Sequence, residues 1–177
     1  MKKLLYTALI TVVFTVFMSS CSEENYYETY DVDAISEFVV LKPSNWQYDA
    51  NIPKMFATIS NPNITQNVID RGLVLVYMAE YGTTRNSWQL IPRTEIYFDK
   101  SDGSFDYSIE WGYWMEPGYL EIEYIHSKDF GLSPEFDVEL KIVIITDFDS
   151  GIQNNYNFEN YDEVVKNFNV QELKELK

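Results

Sequence analysis

Cysteine and histidine are almost missing from this chain: each occurs once, as Cys21 and His126. A lone cysteine closes no disulfide within the chain. Zinc sites built from two or three histidines, or from several thiolates, are excluded. No metal and no cofactor is expected. A Ser-His-Asp arrangement would have to use His126, with Ser127 and Asp129 merely its neighbours in sequence. The chain has no Gly-x-Ser-x-Gly elbow and no phosphate-cradling glycine loop. His126 therefore reads as a surface residue at a strand end. Basic residues are also scarce, 13 Lys and Arg against 28 Asp and Glu, for a formal charge of −15. That balance excludes nucleic acid as a partner, because phosphate recognition needs clustered cations. It also disfavours direct docking on anionic lipid. Long apolar runs are absent except for one, at the start.

That run sets the organisation of the chain. Met1-Lys2-Lys3 is a short cationic segment, and Leu4 to Met18 follows without charge, proline or glycine. It falls short of the ~20 apolar residues a spanning helix needs and has the build of a secretory leader. Ser19 and Ser20 are small, as a cleavage site requires, and Cys21 stands directly after them. An ordinary signal peptide has no use for a cysteine there. Met18-Ser19-Ser20-Cys21 resembles the lipobox of bacterial lipoproteins, with Met for the usual Leu and Ser for the usual Gly or Ala. The resemblance implies cleavage before Cys21 and acylation of its thiol and new amino group. The partner of residue 21 is then outer-membrane lipid. Two or more acyl chains give stable anchoring where one does not. Ser22-Glu23-Glu24-Asn25 resembles the Ser-plus-acidic signal that sends lipoproteins of Bacteroidota to the outer face of the outer membrane. The expected location is the outer membrane, lipid-anchored and facing the cell exterior; the alternative for these acidic residues is a plain solvated linker.

Residues 1–20 are thus expected to be a leader and 21–35 an acidic flexible tether. Such a tether spans about 48 Å fully extended and about 20 Å as a coil. Residues 36–177 make one domain. Aromatics reach 16%, led by 14 Tyr, and suit strands. Ser36–Leu41, Lys54–Ile59, Ser87–Ile91 and Thr94–Asp99 read as strands, and Trp46-Gln47-Tyr48 reads as the start of another. Leu73–Met78 is continuously apolar, as a strand buried on both faces would be. In Ser104–Trp111, Phe105, Tyr107, Ile109 and Trp111 alternate with polar residues, which predicts one buried and one wet face. Leu120–Ile125 alternates likewise, and residues 112–119 read as the loop between these strands. Phe136–Ile145 begins alternating and becomes continuously apolar. Two short helices are expected. One, Ile64–Arg71, has Asn63 as its cap and Gly72 in the left-handed position that ends it. The other, about 161–168, starts at Asn160 and docks on the sheet through Tyr161, Val164, Val165 and Phe168. Residues 172–177 read as a frayed tail. The predicted fold is all-β: an antiparallel β-sandwich of seven to nine short strands, of Greek-key type, with two peripheral helices. The turn-helix Asn63–Gly72 before LVLVYM, then Trp88–Pro92, KIVII and the closing Asn-Tyr-Asp-Glu-Val-Val-Lys helix resemble small outer-membrane lipoproteins of Bacteroidota. That resemblance carries no catalytic or ligand residues.

Three chemistries remain to be weighed. Glu110, Glu121 and Glu123 lie on wet faces of the hairpin strands and are placed to be neighbours, as a carboxylate hydrolase would need; ordinary solvent-facing residues explain them better. Asp147, Asp149 and Gly151 form D-x-D-x-G, and Asp99 and Asp102 flank a second turn. Neither follows a twelve-residue calcium loop, and turn chemistry accounts for both. The strongest candidates are aromatic. Tyr113, Trp114 and Tyr119 surround the 112–119 segment, and exposed rings of this kind stack on sugars or anchor proteins. Trp111 belongs by its alternation to the core; Trp46, Tyr48 and Trp88 are further rings of interest. The expected function is that of a non-catalytic, surface-exposed binding module for a glycan or a protein. The alternative is a structural or accessory subunit of an envelope assembly, and a carboxylate hydrolase is the third reading.

Overall fold

A computed structural model of the protein describes residues 34–79, 87–148 and 156–173. The leader, Cys21, the tether up to residue 33, Asp149, Gly151 and the last four residues lie outside the described residues. The described residues form ten strands: β1 (Ala34–Leu41), β2 (Gln47–Asp49), β3 (Lys54–Asn61), β4 (Leu73–Ala79), β5 (Trp88–Ile91), β6 (Arg93–Phe98), β7 (Phe105–Glu116), β8 (Gly118–His126), β9 (Val138–Ile145) and β10 (Gln171–Glu172). Among the described residues there are also two α-helices, α1 (Gln66–Arg71) and α2 (Tyr161–Asn167), and a 3-10 turn at Pro43–Asn45. Sheet A has the order β10-β1-β9-β4-β5 and sheet B the order β2-β3-β8-β7-β6. Pairing is antiparallel apart from β10 on β1. In sheet B a three-strand meander, β6-β7-β8, has β3 beside it after a detour through sheet A, the strand order of a Greek key. The expected all-β sandwich is the observed architecture.

The core lies between the sheets. Val39, Leu41, Val74, Val76, Ile91, Leu140, Ile142 and Ile144 of sheet A meet Met55, Ala57, Ile59, Trp111, Leu120, Ile122 and Tyr124 of sheet B. A second core covers the far face of sheet A. There Leu75, Tyr77, Val143 and Ile145 pack under Tyr161, Val164 and Phe168 of the closing segment. The strands that read as continuously apolar, β4 and the end of β9, are the ones buried on both faces. Helix α2 docks as its spacing predicted, with Asn160 accepting from the amides of Asp162 and Glu163.

Several expectations are corrected. Strand β1 begins at Ala34, so residues 34 and 35 are not tether. Ala34 pairs with Ile145 and is buried under the closing segment, where a small side chain fits. Helix α1 is capped by Thr65, whose hydroxyl accepts from the amide of Val68 at 3.3 Å. Asn63 is otherwise engaged, because its amide donates to Glu37 at 2.6 Å. Gly72 is extended (φ −93°, ψ −171°), not left-handed. Glycine is needed there by close packing: a Cβ would sit 2.5 Å from the carbonyl oxygen of Ile145. Residues 112–119 are mostly strand, and only Glu116-Pro117-Gly118 make the turn, with Gly118 at φ +91°. Residues 172–173 are not frayed, since Glu172 pairs with Ser36 and the amide of Leu173 donates to the Ser36 carbonyl. Phe105 leaves the buried face that simple alternation assigns it. The register shifts between Tyr97 and Phe98, so that Asp106 is the extra residue and Phe105 pairs with Phe98.

A candidate binding face on the open sheet

Side chains alternate across a strand, so the residues paired on one face can be read from the register. On the outer face of sheet B, Trp114 on β7 lies beside Glu121 on β8, and Glu121 beside Thr58 on β3. One row along, Glu116 lies beside Tyr119 and Tyr119 beside Ser60. Trp114 is 48% exposed. Its ring lies 6.1 Å from that of Tyr119, tilted by 59°. Tyr119 donates its hydroxyl to the Glu116 carboxylate, which raises the phenol pKa above its ordinary value. Two of the three aromatic candidates are thus brought together on one surface, between the carboxylates of Glu116 and Glu121.

Tyr113 is not part of it. The inward alternation of Trp111 continues through Tyr113, whose hydroxyl donates to the carbonyl of Val74 at 2.9 Å across the sandwich. Burial raises its pKa. Trp111 itself is core, and so is Trp46, packed against it at 6.0 Å between ring centroids. Trp88 is half-buried at the other sheet, edge-on to Phe38. Tyr48 is exposed at the far edge of sheet B.

The opposite side of Trp114 along β7 is open because Gly112 has no side chain. A groove of about 400 Å³ runs there, lined by Pro92, Thr94, Glu110, Gly112, Glu123 and Ile125 among others. A Cβ on Gly112 would come within 3.2 Å of the Glu123 carboxylate. The three carboxylates expected as neighbours do share this face, but they are not equivalent. Glu121 and Glu123 both hold the ammonium of Lys54, Glu121 at 2.8 Å. Burial opposes the charge on Lys54; the two carboxylates outweigh it and raise its pKa. Glu110 stands apart from that ion pair on the groove wall.

The remaining candidates have structural duties. The Nδ1 of His126 accepts from the amides of Lys128 and Asp129, and its ring stacks on Tyr107 at 4.6 Å. Asp99 accepts from the hydroxyl and amide of Ser101, and Asp102 from the amide of Ser104; these bonds lower both pKa values. Asp147 pairs with Arg71 at 2.9 Å.

One residue that the sequence reading passed over is Glu37. It is 1% exposed, on the inner face of β1, and its two carboxylate oxygens take the amides of Asn61 and Asn63. This joins sheet A to the end of β3 in sheet B. The signal was present in the parity of β1: Glu37 shares a face with Val39 and Leu41. Comparisons of this chain with protein-family models, with curated proteins and with solved structures found no match.

Proposed function

We propose that this chain is a lipid-anchored, surface-exposed envelope lipoprotein of Bacteroidota type that binds carbohydrate, without catalysis, through the outer face of sheet B. The observation that carries the reading is Trp114: a large aromatic side chain, half exposed, on a rigid strand beside a second ring and two carboxylates. The C–H face of a sugar stacks on such rings, and its hydroxyls donate to carboxylates. Strands hold the groups at fixed spacing, and the adjoining groove over Gly112 extends the platform toward Glu110. Net negative charge suits a neutral glycan and disfavours nucleic acid. Acylated Cys21 supplies the anchor in this reading and residues 22–33 the tether.

Two experiments test it. A glycan array read alongside polysaccharide gel retardation should find a ligand, and Trp114→Ala should abolish retention of the folded protein. Retention unchanged in Trp114→Ala would remove this face from consideration. Cys21→Ala should move the protein from the membrane fraction to the soluble fraction; persistence in the membrane would overturn the anchor.

A further inference from the structure

Strand β6 is an edge of sheet B, and among the described residues it pairs with β7 alone. Its outer row carries Ile96 and Phe98, 57% and 59% exposed, and Phe105 beside Phe98 is 60% exposed. Proteins guard open edges with lysine, with proline inside the strand, or with a bulge. Strand β6 has no lysine, Pro92 stands before it rather than in it, and the bulged residue lies on β7. Its sequence, RTEIYF, holds one cation and one anion. A neutral, apolar edge stands out in a chain of charge −15.

The occupant that fits is a second copy of the same strand. Antiparallel partners on a sheet share a face, so a twofold β6–β6 pair is centred on a residue opposite itself. Centred on Glu95, the pair would place two carboxylates against each other, which is destabilising. Centred on Ile96, it sets Ile96 against the partner's Ile96, Thr94 against Phe98 and Glu95 against Tyr97. Arg93, paired within its own copy with Glu95 at 3.1 Å, then lies opposite the partner's Asp99 just past the end of β6, so no like charges face each other across the pair. We infer that the chain forms a twofold dimer through β6 in the Ile96-centred register, joining the two copies of sheet B into one continuous sheet. The exposed Ile96 and Phe98 side chains of both copies then cover one another, and the platform at Trp114 stays open on each side. Repulsion between the acidic bodies is screened by salt, so the dimer strengthens as ionic strength rises.

Cysteine cross-linking of the full-length chain in membranes tests the register. Mild oxidation should join Ile96→Cys into a dimer, because the two residues face each other. Thr94→Cys alone should stay monomeric, four rows from its own copy, while Thr94→Cys combined with Phe98→Cys should cross-link. The wild-type chain is the control for any Cys21 thiol left unacylated. Sedimentation of the detergent-solubilised chain should give a dimer, and Ile96→Lys should give a monomer that keeps the wild-type circular dichroism spectrum. A monomeric wild-type chain, or Thr94→Cys cross-linking as well as Ile96→Cys, overturns the inference. So does an edge filled by a strand from a different protein, which would leave the purified Ile96→Cys chain uncross-linked.

Discussion

The two sheets differ in what lies on their outer faces, though both are built of five strands. Sheet A is covered: Tyr161, Val164 and Phe168 bury Leu75, Tyr77, Val143 and Ile145, and the Tyr77 hydroxyl donates to the Phe158 carbonyl at 2.7 Å. Rings of Phe148, Tyr156, Phe158 and Phe168 close the layer. Even Lys141, a cation on the central strand β9, lies 4.1 Å from the Tyr161 ring centroid. Among the described residues no segment covers the outer face of sheet B, where Trp114, Ile96, Phe98 and Phe105 are exposed. Aromatic residues on sheet A therefore serve stability, whereas those on the outside of sheet B are the ones proposed for recognition.

The sharpest way to break that contrast is to strip each face in turn. Phe168→Ala removes a fully packed ring from the cover of sheet A and should cost about 3–5 kcal/mol in urea unfolding. The link between the sheets comes next. Asn61→Ala leaves a Glu37 oxygen buried without its donor and should cost about 2–3 kcal/mol by the same measurement. Thr65→Ala, which removes the α1 cap, should cost about 1 kcal/mol. Phe98→Ser, on the bare face, should change the monomer's stability by no more than about 0.5 kcal/mol. Equal losses for Phe168→Ala and Phe98→Ser would erase the distinction between the two faces.

Much of this contrast was legible in the sequence. LVLVYM and KIVII, apolar without interruption, marked the strands of sheet A that are buried on both sides. Leu120, Ile122 and Tyr124, alternating with acids, marked a sheet with one wet face. The closing helix showed its docking residues at helical spacing. What failed were features set by partners distant in sequence. A bulge at Asp106 carries Phe105 out to Phe98, and nothing local announces it. Gly112, Pro117 and Gly118 together suggested a loop, yet Gly112 is a strand residue, where a Cβ would come within 3.2 Å of the Glu123 carboxylate across the sheet. That error made Tyr113 and Trp114 look alike; once the strand continues, one residue faces the core and the next faces water. Asn63 looked like a helix cap until Glu37, twenty-six positions earlier, claimed its amide.

The most direct test is a paired measurement on Trp114→Ala: unfolding free energy, and retardation in gels of the polysaccharide that the array selects. The open-face account predicts a stability loss of about 1 kcal/mol or less, the size of one cross-strand contact, together with loss of retardation. A loss of about 3 kcal/mol or more, the cost of truncating a core aromatic, with retardation retained would contradict it.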